Sequence, residues 1–101
     1  MKIAVATISK NEDTEISERG GRAPYYLIFD EKKELIETIK NPFAIGGGGA
    51  GIAVAKMLDD KDVNLVIAGA MGNNMVAALE ERGLNYETKQ GKVKDVLGQL
   101  S

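Results

Sequence analysis

Three strand patterns precede the first helical pattern in this chain, and strands then alternate with helices to the end. Few sheets can be built from that order. Residues 3–8 (Ile-Ala-Val-Ala-Thr-Ile) are apolar on both faces, as in a buried central strand. A polar loop runs from Ser9 to about Gly21. Residues 25–29 predict a second strand, and Asp30-Glu31-Lys32-Lys33 a hairpin turn. Residues 35–39 alternate weakly beside Glu37, Thr38 and Lys40, as at a partly exposed sheet edge, and Asn41-Pro42 ends that strand. Ala50, Ala53, Val54, Met57 and Leu58 then fall on one helical face, with Lys56, Asp59 and Asp60 opposite. Residues 65–68 read as another buried strand. Gly72, Met75, Val76 and Leu79 repeat the helical period, and Gly83 is a natural stop. Residues 84–88 predict a last short strand and Gly91 a turn. Val93, Val96, Leu97 and Leu100 predict a closing helix.

Strands joined by short loops prefer antiparallel neighbours, whereas strands separated by helices prefer parallel pairing through right-handed crossovers. The solution consistent with both is an α/β fold with a mixed five-stranded sheet. Its order is 3-2-1-4-5, only the second strand is reversed, and helices lie on both faces. This is the three-layer arrangement of ribonuclease H-like folds. A length of 101 residues predicts one domain, residues 1–101, with a core of modest size.

The function classes narrow quickly. The chain has no His and no Cys, which removes imidazole and thiolate ligands, histidine bases and cysteine nucleophiles. A net charge of −2 gives no electrostatic footprint for nucleic acid. No apolar run approaches a membrane span, and the N-terminus reads as a strand rather than a signal peptide. The expectation is a cytoplasmic protein with neither membrane nor nucleic acid as partner. A ribonuclease H-type nuclease would need carboxylates on the sheet. Residues 2–8 and 65–68 carry none.

Residues 46–51 (Gly-Gly-Gly-Gly-Ala-Gly) open directly into the first helical pattern. Such a loop lets backbone N–H groups approach an anion at the positive end of a helix. It also reads equally well as a loose turn. Gly46, Gly48 and Gly51 spell a dinucleotide fingerprint, but the strand about 20 residues on has no acidic residue for a ribose. A nucleotide P-loop needs Lys-Ser or Lys-Thr after the last glycine, where Ile52-Ala53 stand instead. In the deduced topology a crevice opens between the first and fourth strands. The loops at residues 9–21, 41–51 and 69–74 converge on it. The first carries Arg19-Gly20-Gly21-Arg22 and the last Gly69-Ala70-Met71-Gly72-Asn73-Asn74.

That convergence predicts an anion site formed by Arg19, Gly20, Gly21, Arg22, Gly47, Gly48, Gly49, Gly51, Gly69, Met71, Gly72 and Asn73. A side chain at Gly48 is expected to block it. Each residue also has a plain structural reading. The arginines can be solvated or pair with Glu12, Asp13 or Glu18. Asn73 can cap the second helix, and Met71 can be core or touch a soft metal cluster. Tyr25 and Tyr26 alternate across a strand, so one of them packs inside.

These residues are together similar to a known family. The chain resembles the dinitrogenase iron–molybdenum cofactor biosynthesis family, the NifX/NafY-type domain also found at the C-terminus of NifB proteins. The resemblance spans the chain. It rests on residues 1–5, 16–26, Asn41-Pro42, 47–51 and 66–72. The most specific segment is residues 17–26, where the family typically reads Ser-x-His-Phe-Gly-Arg-Ala-x-x-Phe/Tyr. Ser17, Gly21, Arg22, Ala23 and Tyr26 match, while Arg19 replaces the histidine and Gly20 the aromatic. The resemblance implies a ribonuclease H-like fold. It also implies a carrier of iron–sulfur or iron–molybdenum cluster precursors rather than a catalyst, with metal-cluster assembly proteins as partners. A permanently protonated arginine cannot replace a histidine as a metal ligand, so it implies electrostatic and weak cluster binding here. Two other readings use the same residues: a binder or small enzyme for a phosphorylated metabolite, and a protein-interaction module.

Overall fold

The computed structural model describes residues 1–46 and 48–100. Strand β1 (Ile3–Thr7) is buried at every position, as its two-sided apolar pattern requires. It pairs antiparallel with β2 (Tyr25–Phe29) and parallel with β4 (Leu65–Ala68). Beyond these, β3 (Leu35–Lys40) pairs antiparallel with β2 and β5 (Asn85–Thr88) parallel with β4. The sheet order is therefore β3-β2-β1-β4-β5 with β2 alone reversed, as the connection lengths predict.

Among the described residues three helices complete the fold: α1 (Ala50–Asp60), α2 (Asn73–Glu81) and α3 (Val93–Gln99). Helices α1 and α2 cover one face of the sheet. Val54, Ala55, Leu58, Met75 and Leu79 pack there on Ala4, Tyr26, Ile28 and Val66. Helix α3 covers the other face, with Val93, Val96 and Leu97 on Val5, Leu27 and Ile67. The buried stripe of α1 includes Ala55 and leaves Met57 only half-buried, a small rotation from the face expected from the sequence.

Local chemistry explains where these elements stop. Gly83, at φ +74°, ends α2, its N–H bonding to Glu80 and the Leu84 N–H to Leu79. That closure consumes Leu84, so β5 starts one residue later than the sequence pattern implies. Asp62, at φ 62°, ends α1 in the same way. The helix C-termini thus turn away from the sheet edge where β1, β3 and β4 end. The N-termini of α1 and α2 follow the loops that leave that edge after β3 and β4.

Candidate functional site

Beyond β1 the chain folds back on itself before entering β2. The Ser17 N–H bonds to Ala6 and the Ile16 N–H to Gly91, which lays residues 16–17 along the strand end. The Ser17 hydroxyl takes the Arg19 N–H and donates to the Arg19 carbonyl, forming a tight turn. Gly69 passes so close beneath this turn that a Cβ on it would lie 2.7 Å from the Glu18 Cα. The Gly69 N–H donates to Ser17, and the Gly20 N–H to the Ala70 carbonyl at 2.9 Å. The arginine loop is thereby stitched to the loop after β4.

Two side chains hold it from the other side. The buried Tyr26 hydroxyl donates to the Gly20 carbonyl. Burial also pushes this phenol well above its ordinary pKa. The buried Asn41 amide donates to the carbonyls of Gly21 (3.0 Å) and Ala23 (2.9 Å), and its oxygen accepts the Phe43 N–H. A Cβ on Gly21 would lie 2.9 Å from the Gly51 nitrogen, and one on Gly51 2.7 Å from the Met75 Cβ. These glycines set the closeness of the arginine loop, α1 and α2.

The result is a cleft of about 700 Å³ between the arginine loop and the first turns of α1 and α2. Gly49, at φ +86°, caps α1, and Gly72 caps α2 without any side-chain cap bond. First-turn N–H groups have no acceptor within their own helix, so both helices bring positive dipole ends to the cleft. The Arg19 side chain is exposed at its rim. The guanidinium of Arg22 donates to the Gly46 carbonyl at 3.0 Å. Met71 and Met75 supply thioether side chains.

Of the residues predicted from sequence, Arg19, Gly20, Gly21, Arg22, Gly49, Gly51, Met71, Gly72 and Asn73 line this cleft. Gly48 and Gly69 do not. Gly48 faces a smaller hollow beside Phe43 and Ile45, and Gly69 lies under the Ser17 turn. Gly47 lies outside the described residues. Asn73 is the first residue of α2 rather than its cap, because Gly72 holds that position. Asp13 pairs with Lys94 at 2.6 Å. Tyr26 is the tyrosine that packs inside.

Glu18, Ala50, Ala70 and Asn74 lie in the loops that the sequence places at the crevice but were not named as site residues, and Met75 was missed as a lining residue. Met75 had a legible signal as part of an apolar helix face, but nothing local shows that its face meets Gly20. Sequence reasoning also missed the clamps made by Tyr26 and Asn41.

The donor set tests the site against a metal cluster. With no His or Cys, the chain offers neither thiolate nor imidazole ligands. Among the described residues, no group of three or more acidic side chains is placed to hold a metal ion. What the cleft offers a ligand is positive charge and N–H donors rather than thiolate or imidazole coordination.

Comparison with known proteins agrees with this architecture. The family described as "Dinitrogenase iron-molybdenum cofactor" matches residues 1–101. The apo form of the orange protein from Desulfovibrio gigas superposes with a TM-score of 0.89 at 24% identity, covering 97% of this chain and 84% of that one. A putative NifB protein from Thermotoga superposes with a TM-score of 0.79 at 27% identity, covering 96% and 84%. No curated protein matches the chain in sequence. No helix among the described residues is long and apolar enough to cross a membrane. The chain belongs to the dinitrogenase iron–molybdenum cofactor family.

Proposed function

We propose that this protein is a non-enzymatic carrier that holds a preassembled anionic cluster, an iron–sulfur or iron–molybdenum cofactor precursor, in the cleft. The observation that carries this reading is the convergence of two helix N-termini with Arg19 and Arg22 on one hollow, in a member of this family. The cluster is cargo. Its metals keep the ligands they arrive with, while backbone N–H groups and guanidinium groups donate to its sulfur or oxygen atoms. The thioether of half-buried Met71 offers a soft, polarizable contact to sulfide, while Met75 stays packed in the core beneath.

The lining side chains support carriage over catalysis. Glu18 is the sole carboxylate among them, and no hydroxyl, thiol or amine nucleophile joins it. The sheet order supports reading the fold as ribonuclease H-like, and neither β1 nor β4 carries the acids of a nuclease. The partners in this reading are metal-cluster assembly proteins in the cytoplasm.

The test is an anaerobic titration with a thiolate-capped cubane iron–sulfur cluster at low and high salt, read by visible absorption and native mass. Attraction between exposed charges is screened within about 8 Å at physiological ionic strength, so binding should weaken with salt. Arg19→Ala should weaken it further by about tenfold, the equivalent of one charge-assisted hydrogen bond of ~1.4 kcal/mol. Arg19→His should tighten it and shift the visible spectrum, as neutral imidazole replaces one capping thiolate, which leaves to solvent as the thiol. Tight binding that ignores both salt and Arg19→Ala would overturn the reading. Equal occupancy by inorganic pyrophosphate would favour a phosphorylated metabolite instead.

A further inference from the structure

A second hollow lies beside the cleft, at the end of the sheet where β2 begins and β3 finishes. It measures about 610 Å³, and its walls include Pro24, Tyr25, Pro42 and Ile45. Arg22 and Lys40 also line it, and no acidic residue does. In a chain of net charge −2, this makes a locally cationic groove with an apolar floor. Ile45 is 91% exposed, more than any other exposed large hydrophobic side chain. A lone exposed isoleucine needs no explanation, but one beside an aromatic, two prolines and two cations forms a patch. Tyrosine and arginine are also the residue types that most often anchor binding energy at interfaces.

The groove adjoins the cleft. Arg22 lines both hollows, and its bond to the Gly46 carbonyl ties it to the loop that carries Ile45. A segment seated in the groove therefore lies one side chain away from the cleft.

We propose that this groove docks an acidic peptide segment with an apolar anchor, carried by the protein that exchanges cargo with the cleft. Carboxylates on the segment answer Arg22 and Lys40, and its anchor covers Tyr25 and Ile45. The cargo-exchange role rests on the carrier reading above. The docking chemistry rests only on the groove.

The experiment separates the two. The cargo-free protein is immobilised and used to select from an unbiased phage-displayed peptide library. Enriched peptides should combine Asp or Glu with a large apolar residue. Their affinity should fall at least about tenfold on Ile45→Asp, which places like charge where the anchor sits, and on Lys40→Glu. Both positions are exposed, so both variants should unfold at the parent's temperature. Ile36→Thr changes an exposed apolar residue of the same edge strand outside the groove, and should leave affinity unchanged. No enrichment, enrichment of basic or purely apolar peptides, or sensitivity to Ile36→Thr alone would overturn the proposal. Ile45→Ser, which removes the apolar contact without adding charge, should weaken peptide binding and still bind the cubane cluster as the parent does. If the parent fails to bind cluster while peptide selection succeeds, docking stands and carriage falls. If cluster binds and selection fails, carriage stands and docking falls.

Discussion

Gly48 and Gly51 sit three residues apart in one glycine run, yet their surroundings differ completely. A Cβ on Gly51 would meet the Met75 Cβ at 2.7 Å and its Cα at 3.2 Å, whereas one on Gly48 would meet nothing within 4 Å. Alanine is the better helix former by about 1 kcal/mol, but overpacking against backbone costs about 1–3 kcal/mol. Gly51→Ala should therefore lower stability by a net of up to ~2 kcal/mol and also disturb the cleft. Gly48→Val should change stability by no more than about 0.5 kcal/mol, like other open surface changes. It should also leave cluster binding intact, because Gly48 does not line the cleft. Thermal unfolding and cluster titration of the two variants check this, and comparable losses in both would refute it. The glycine run is plain in the sequence. Which of its members permits a close approach is not, because the partner that decides it, Met75, lies on another helix.

The arginine loop is the element on which the cleft depends, and it has little secondary structure of its own. Asn41 fastens it by donating to the Gly21 and Ala23 carbonyls while accepting the Phe43 N–H. Asn41→Ala leaves all three backbone groups without this partner. Each buried group so stranded costs roughly 1–3 kcal/mol, and some will find water. The expected loss of stability is about 2–4 kcal/mol. Exchange of the Gly20 amide proton with solvent should accelerate more than that of core amides on β1, and cluster affinity should fall with it. Uniform acceleration across the chain would mean that Asn41 supports global folding alone. The strands and helices were legible because burial imposes periods of two and 3.6 on their side chains. The clamp was not. Asn41-Pro42 reads only as the end of a strand, and its hydrogen bonds span 18 and 20 residues of sequence.

At the scale of the whole molecule, connection lengths alone led to the sheet order, because right-handed crossovers and adjacent hairpins leave few alternatives. Hydrophobic periodicity did not show that α1 and α2 share one face while α3 covers the other, since each helix presents a single apolar stripe in either arrangement. The consequence is an uneven pair of cores, and the larger contains Tyr26. Its phenol is reached by bulk water only when the molecule opens, so its titration reports on global stability. Burial raises its pKa in the folded state above the unfolded value of about 10. Above that pH the native state holds a proton that the unfolded chain has released. Stability from this group is thus complete below the unfolded pKa and is lost as pH rises towards the folded one. The slope is about 1.4 kcal/mol per pH unit for one such group. Tyr86 is also raised, by its hydrogen bond to Glu80, but it is unchanged in a Tyr26 variant and cancels in a comparison. Tyr26→Phe should be less stable near neutral pH, having lost the bond to Gly20, yet decline less steeply in alkali. Urea unfolding of both proteins across the alkaline range measures the two limbs. Parallel limbs would show that the phenol ionises without global opening, and that the floor under the arginine loop is looser than the packing around Tyr26 implies.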